Sequence, residues 1–237
     1  MESFDLLATI TLTANAAVIA GAIAASYPGS QLARVRLAAV FAGWFGVIVA
    51  LAAVGIFDHR RGIGTPGIGI AVLLPVLALA YFGRREPVRS AVLAIPLALL
   101  VGVNFVRVFG AFFLVLHATK RLAAPFAPVA GWGDVLAGAT ALPVAWAILK
   151  QIPGWRTATL AWNTFGLADL FAAIALGVTS AEGSPVRLFF AEPGTAVMSG
   201  LPWVLIPAFL VPALMLTHLA VFYRLLTPSW RAHPVQA

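Results

Sequence analysis

The chain has 237 residues, 62% apolar and only 10% charged, with a mean hydropathy of +0.99; soluble domains run near 45–50% apolar and about 25% charged, so a water-soluble globule is excluded. The formal charge of +7 would point to nucleic acid in a soluble protein, but the basic residues stand singly or in pairs at the ends of apolar runs, where they mark topology instead. Cysteine is absent, which removes disulfides, thiolate metal sites, cysteine-ligated iron–sulfur clusters and thiol nucleophiles.

Crossing about 30 Å of hydrocarbon at 1.5 Å per residue takes roughly 20 apolar residues. The first such run follows Met1-Glu2-Ser3-Phe4-Asp5; without a basic stretch ahead of it, it reads as a retained span rather than a signal peptide. Seven runs emerge, over 6–26, 34–56, 67–83, 92–117, 131–149, 157–179 and 200–224. The fold expected is an all-α polytopic transmembrane helix bundle, one domain over 1–237. The third run is short, follows Thr65-Pro66-Gly67 and contains Pro75, which leaves a six-span alternative with a re-entrant third segment. In the seventh, Pro202 is expected to open the helix, and Pro207 and Pro212 to kink it and free carbonyls near the bundle centre.

Basic residues orient the bundle. With the N-terminus outside, nine lie on the inner side (Arg34, Arg36, Arg84, Arg85, Arg89, Lys150, Arg156, Arg224, Arg231) against five outside (Arg60, Arg61, Lys120, Arg121, Arg187). That bias places the C-terminus in the cytoplasm. Acids lean the other way: Glu2, Asp5, Asp58, Glu182 and Glu192 fall outside, and Glu86 inside. The longest connection, 180–194, carries Pro185-Val186-Arg187-Leu188-Phe189-Phe190, an apolar patch suited to the outer headgroup region or to packing on the helix ends.

Charges at membrane depth cost at least about 2.5–3.5 kcal/mol on insertion scales, so they face the interior and take partners. Arg107 lies well inside the fourth run, with Asn104 three residues earlier on the same face. Asp169 shares a face of the sixth run with Trp162 and Gly166, and its depth matches that of Arg107. The two are expected to form an ion pair, as a structural pin or as the wall of a substrate or ion site. Asp134, after Gly133 at the expected start of the fifth span, reads first as a helix-terminal acid and second as a functional group. His218 and Asn163 fall at similar depth, a setting for a hydrogen-bonded contact between the sixth and seventh spans or for a proton relay.

Several functions fit poorly. Bis-histidine haem fails because His117 and His218 sit near opposite ends of their spans, leaving a single-histidine haem at His218 as a minor option; no other cofactor is expected. Retinal needs a lysine within the bundle, and Lys120 and Lys150 stand at helix ends. Neither clustered metal ligands nor a Gly-x-Ser-x-Gly nucleophile motif occurs, so an enzyme fits less well than a transporter. The expected binding site is Asn104, Arg107, Asn163, Asp169 and His218, with Asp134 secondary, and the best reading is transport or permeation of a small molecule or ion. A ligand-sensing or assembly protein is the alternative, suited by small size and the lack of a repeat. The expected partner is the lipid bilayer; a small-molecule or ion ligand and a homo-oligomer stay open, and nucleic acid is not expected.

The run from Pro96 through Asn104, Arg107, Gly110 and Phe112 to Phe126-Ala127 and Ala130-Gly131-Trp132-Gly133-Asp134, followed by Trp162-Asn163, Gly166, Asp169 and Pro207 to His218, resembles a bacterial family of uncharacterised multi-spanning membrane proteins. The resemblance implies a multi-pass protein of the bacterial inner membrane. With no established activity behind it, it transfers no catalytic or binding residue.

Overall fold

The computed structural model describes residues 3–86 and 88–227; Glu2 and Arg231, both used in the orientation count, lie outside the described residues. All regular elements among these residues are helical. The long helices are α1 (Ser3–Ser26), α2 (Gln31–Ala53), α3 (Thr65–Phe82), α7 (Phe126–Leu149) and α8 (Trp155–Ser180). The fourth span, Leu97–Ala118, is composite: α5 (Leu97–Gly102), a 3-10 segment (Val103–Gly110) and α6 (Ala111–Ala118), preceded by the short α4 (Val88–Ala94). A π-helical turn (Ile206–Leu210) runs into α9 (Val211–Leu226) to make the seventh. Among the described residues seven helices are thus long and apolar enough to cross a membrane, and the chain is a multi-pass membrane protein.

Local chemistry explains the breaks. Ser30 caps α2 by accepting from the Ala33 amide (3.3 Å), while Arg34 Nε reaches back to the Tyr27 carbonyl (2.8 Å) at the end of α1. Pro66 sits in the first turn of α3, where its missing N–H costs nothing. The helix then runs unbroken through Pro75, so the third apolar run is a continuous helix of 18 residues rather than a re-entrant loop.

Three helix starts differ from expectation by five residues or more. Pro96 lacks an N–H and disfavours helix at Ile95, so the fourth span begins at Leu97 rather than at 92. The Ile95 carbonyl receives a hydrogen bond from the Arg224 guanidinium of α9. The fifth helix begins at Phe126, directly after Pro125 and five residues ahead of the expected 131. The glycines taken there for a helix start instead lie inside α7 as close-packing points. Pro202 precedes the last span, which starts at Ile206 with Pro207 in its first turn. The change from π to α geometry follows at Pro212, whose ring leaves the Ala208 carbonyl without its usual i+4 donor.

Burial ranks the helices. It is greatest in the seventh and fourth spans and least in α2 and α3. The last helix is therefore the central column, with α8, α3 and the fourth span packed on it, α7 packed against the fourth span and α8, and α2 at the edge. Large apolar side chains left exposed on the spans, such as Ile10, Val40, Leu74 and Leu149, suit lipid contact.

Polar contacts at the helix ends sort into two faces. On one, Arg121 reaches Asp5 (2.9 Å), Trp203 Nε1 donates to the same carboxylate (3.0 Å), Arg60 pairs with Glu182 (3.1 Å) and Arg187 with Glu192 (3.0 Å). On the other, Arg89 donates to Tyr223 (2.8 Å) and approaches Glu86 (3.4 Å). Each of these pairs joins groups that seven alternating spans put on one side. The hydrogen bond and charge of Arg60 hold the Glu182 carboxyl below its ordinary value.

Candidate functional site

Arg107 stands in the 3-10 segment of the fourth span, where residues at i and i+3 eclipse, so Asn104, Arg107 and Gly110 stack on one edge. Eight residues of 3-10 helix is long for this geometry. It is braced by glycine: a Cβ on Gly138 of α7 would lie 2.5 Å from the Val108 amide nitrogen, and one on Gly110 would collide with Asp134. The two backbones approach as closely as hydrogen side chains permit.

Every nitrogen of the Arg107 guanidinium has an acceptor. Nε donates to Asp134 Oδ1 (2.7 Å), Nη2 to Asp169 Oδ2 (2.5 Å), and Nη1 to the Gly166 carbonyl (3.0 Å), while Nη1 also lies 3.2 Å from His218 Nε2. The guanidinium is 1% exposed, Asp169 7% and Asp134 13%, so the arginine is sealed in the bundle while its acids keep a small exposed edge. One guanidinium faces two carboxylates, a formal charge of −1 when both are ionised. A proton or a monovalent cation completes that balance.

The histidine is held from both sides. Asn163 Nδ2 donates to the His218 carbonyl (3.0 Å), which turns Asn163 Oδ1 toward His218 Nδ1 (2.7 Å). An oxygen acceptor there calls for a proton on Nδ1, leaving Nε2 bare to accept from Arg107; this tautomer is assigned from the hydrogen-bond network. Trp162 lies against the imidazole at 5.2 Å between centroids and donates its Nε1 proton to the Ala137 carbonyl (3.1 Å). Gly166 makes room: a Cβ there would come 2.6 Å from His218 Cε1 and 3.1 Å from Arg107 Nη1.

Five sequence-selected residues converge here: Arg107, Asp134, Asn163, Asp169 and His218. The Arg107–Asp169 pair and the Asn163–His218 contact are both present. Asp134 is a correction. It lies eight residues into α7, about 12 Å along the helix, and faces Arg107 instead of ending a helix. Asn104 stands slightly apart: its amide donates to the Leu100 carbonyl (2.9 Å) and Thr217 Oγ1 (3.1 Å), and its Oδ1 is buried without a partner. It shares no acceptor with Arg107, though Thr217 and His218 are neighbours on α9.

Asn15 of α1 escaped the sequence reading. It is 5% exposed and lines a small cavity of about 30 Å³ beside Arg107 and Asp134. An amide in mid-span was the available signal, by the same energetics that singled out Asn104. A larger cavity of about 100 Å³ runs between α3 and α8, from His59 and Glu182 at the loop face down to Asp134. Asp134 and Phe113 line both cavities.

A family model described as a domain of unknown function (DUF8737) matches residues 65–226, a stretch that holds every cluster residue except Asn15. No curated protein and no solved structure matches the chain.

Proposed function

The chain belongs to the DUF8737 family, and we propose that it moves a small molecule or ion across a bacterial inner membrane through the polar site at the centre of its bundle. The observation carrying this reading is the uneven charge at that site: two carboxylates about one guanidinium, nearly sealed from solvent, beside a cavity that reaches one face. An intramembrane cluster is costly to keep and marks ion and substrate paths in membrane proteins. Its imbalance suits a site that loads and releases a proton or cation. We place the α1 N-terminus and the Asp5–Arg121 face outside, following the excess of Lys and Arg on the opposite side.

A second reading rests on a specific feature. The larger cavity stops at Asp134, and past it Asn163, Thr217 and His218 are fully or almost fully buried. A ligand-sensing protein open to one side would look the same. The test is uptake by the full chain reconstituted in liposomes, with protons, alkali cations, amines, amino acids and sugars offered under an imposed potential or pH gradient. A substrate that accumulates with the native protein, and not with Asp134→Asn or Asp169→Asn, supports transport. A ligand that binds at the site while nothing in the panel crosses overturns transport in favour of sensing.

A further inference from the structure

The larger cavity has walls of one chemical character. Apolar side chains of α3 and α8, among them Ile68, Val72 and Ile174, form its sides, and three phenylalanines, Phe57, Phe113 and Phe126, line it. Phe113 and Phe126 meet edge to face at 5.3 Å. The titratable groups lining it are Asp134, Glu182 and His59; no lysine or arginine contributes. Arg107 approaches Asp134 from the far side and uses Oδ1, so Oδ2 has no hydrogen-bond partner among the described residues. The adjoining small space holds the Asn15 amide but is lined by Arg107 as well, so the larger cavity alone offers a carboxylate oxygen without a cation beside it.

We infer that this cavity binds an organic ammonium ion with a compact apolar body, its cationic head at the free oxygen of Asp134 and its body against the phenylalanines. The inference rests on the transport reading for direction, and on the cavity for chemistry. Carboxylate and aromatic faces together are the surroundings that stabilise an ammonium, the first by a charge-assisted hydrogen bond and the second through the ring quadrupole. The ion also supplies the positive charge that the Arg107 cluster lacks. A cavity of about 150 Å³ holds benzene, so a space near 100 Å³ with an open mouth suits a body of about that size.

The test uses the full chain in nanodiscs with three probes of one shape: phenethylammonium, neutral 2-phenylethanol and anionic phenylacetate. The inference expects the ammonium alone to raise the melting temperature and to bind by calorimetry, with affinity reduced about tenfold or more in Asp134→Asn. Gly69 lines the cavity, and a Cβ there meets nothing within 4 Å; Gly69→Leu fills the space without touching the charge cluster and should abolish binding even if Asp134→Asn fails to fold. Equal binding of all three probes, or full binding in Gly69→Leu, overturns the inference. Phenethylammonium that binds but is never taken up into liposomes refutes transport and keeps the ammonium site. Uptake of another substrate with no phenethylammonium binding refutes the ammonium site and keeps transport.

Discussion

Replacing Arg107 with alanine removes the shared partner of two buried carboxylates. Asp134 and Asp169 approach it at 2.7 and 2.5 Å, so the variant leaves two acids facing each other across a site that water reaches poorly. Removing one member of a buried ion pair costs about 3–5 kcal/mol, and like charges add to that. At roughly 2–4 °C per kcal/mol for a chain of this length, the melting temperature should drop by about 6–20 °C, read by tryptophan fluorescence in mild detergent. Adding Asp134→Asn and Asp169→Asn to Arg107→Ala should recover most of the loss, because a neutral cluster no longer holds unpaired charge. An Arg107→Ala variant that melts within about 2 °C of the native protein would refute the reasoning, as would a triple variant no more stable than the single one.

Gly166→Ala puts a methyl 2.6 Å from His218 Cε1, and such overpacking should cost about 1–3 kcal/mol in the same melting assay. His218→Leu leaves the Asn163 oxygen buried without its 2.7 Å partner, a loss of about 1–3 kcal/mol that Asn163→Leu in the same chain should partly restore. Because Arg60 holds the Glu182 carboxyl below its usual 4.5, the link between their loops is fully present above that pH and fades as pH falls through the lowered value. Hydrogen exchange over 57–62 should accordingly rise in acid, and Glu182→Gln should remove the pH dependence. Val186, Leu188 and Phe190 are 54%, 68% and 70% exposed, which suits a loop dipping into the headgroup layer; Phe190→Trp should be quenched by lipids brominated near the headgroup and left unquenched if the loop lies in water. The absence of cysteine makes topology easy to read: Lys120→Cys should react with impermeant maleimide from outside the cell, and Lys150→Cys should not.

Composition and spacing were enough to determine the solvent and the number of spans. A helix must satisfy its own backbone in lipid, so each crossing leaves a contiguous apolar run, and such runs are local in sequence. The same locality made Arg107, Asp169, Asn163 and His218 stand out, since an ionisable or amide group amid apolar neighbours is costly wherever the helix goes. Depth matching even paired Arg107 with Asp169. Tertiary structure decided what those groups meet. Asp134 was read as a helix end because glycine precedes it, whereas Gly131, Gly133 and Gly138 are contact points that let α7 approach the fourth span and α8, a use of glycine that depends on partners remote in sequence. The break at Pro96 and the 3-10 stretch after it likewise set where the Arg107 side chain points. An arginine in mid-span announces that it needs acids, but which acids, how many, and whether a cavity lies beside them follow from how seven helices pack, and packing in lipid is settled by small residues and shape rather than by any pattern along one helix.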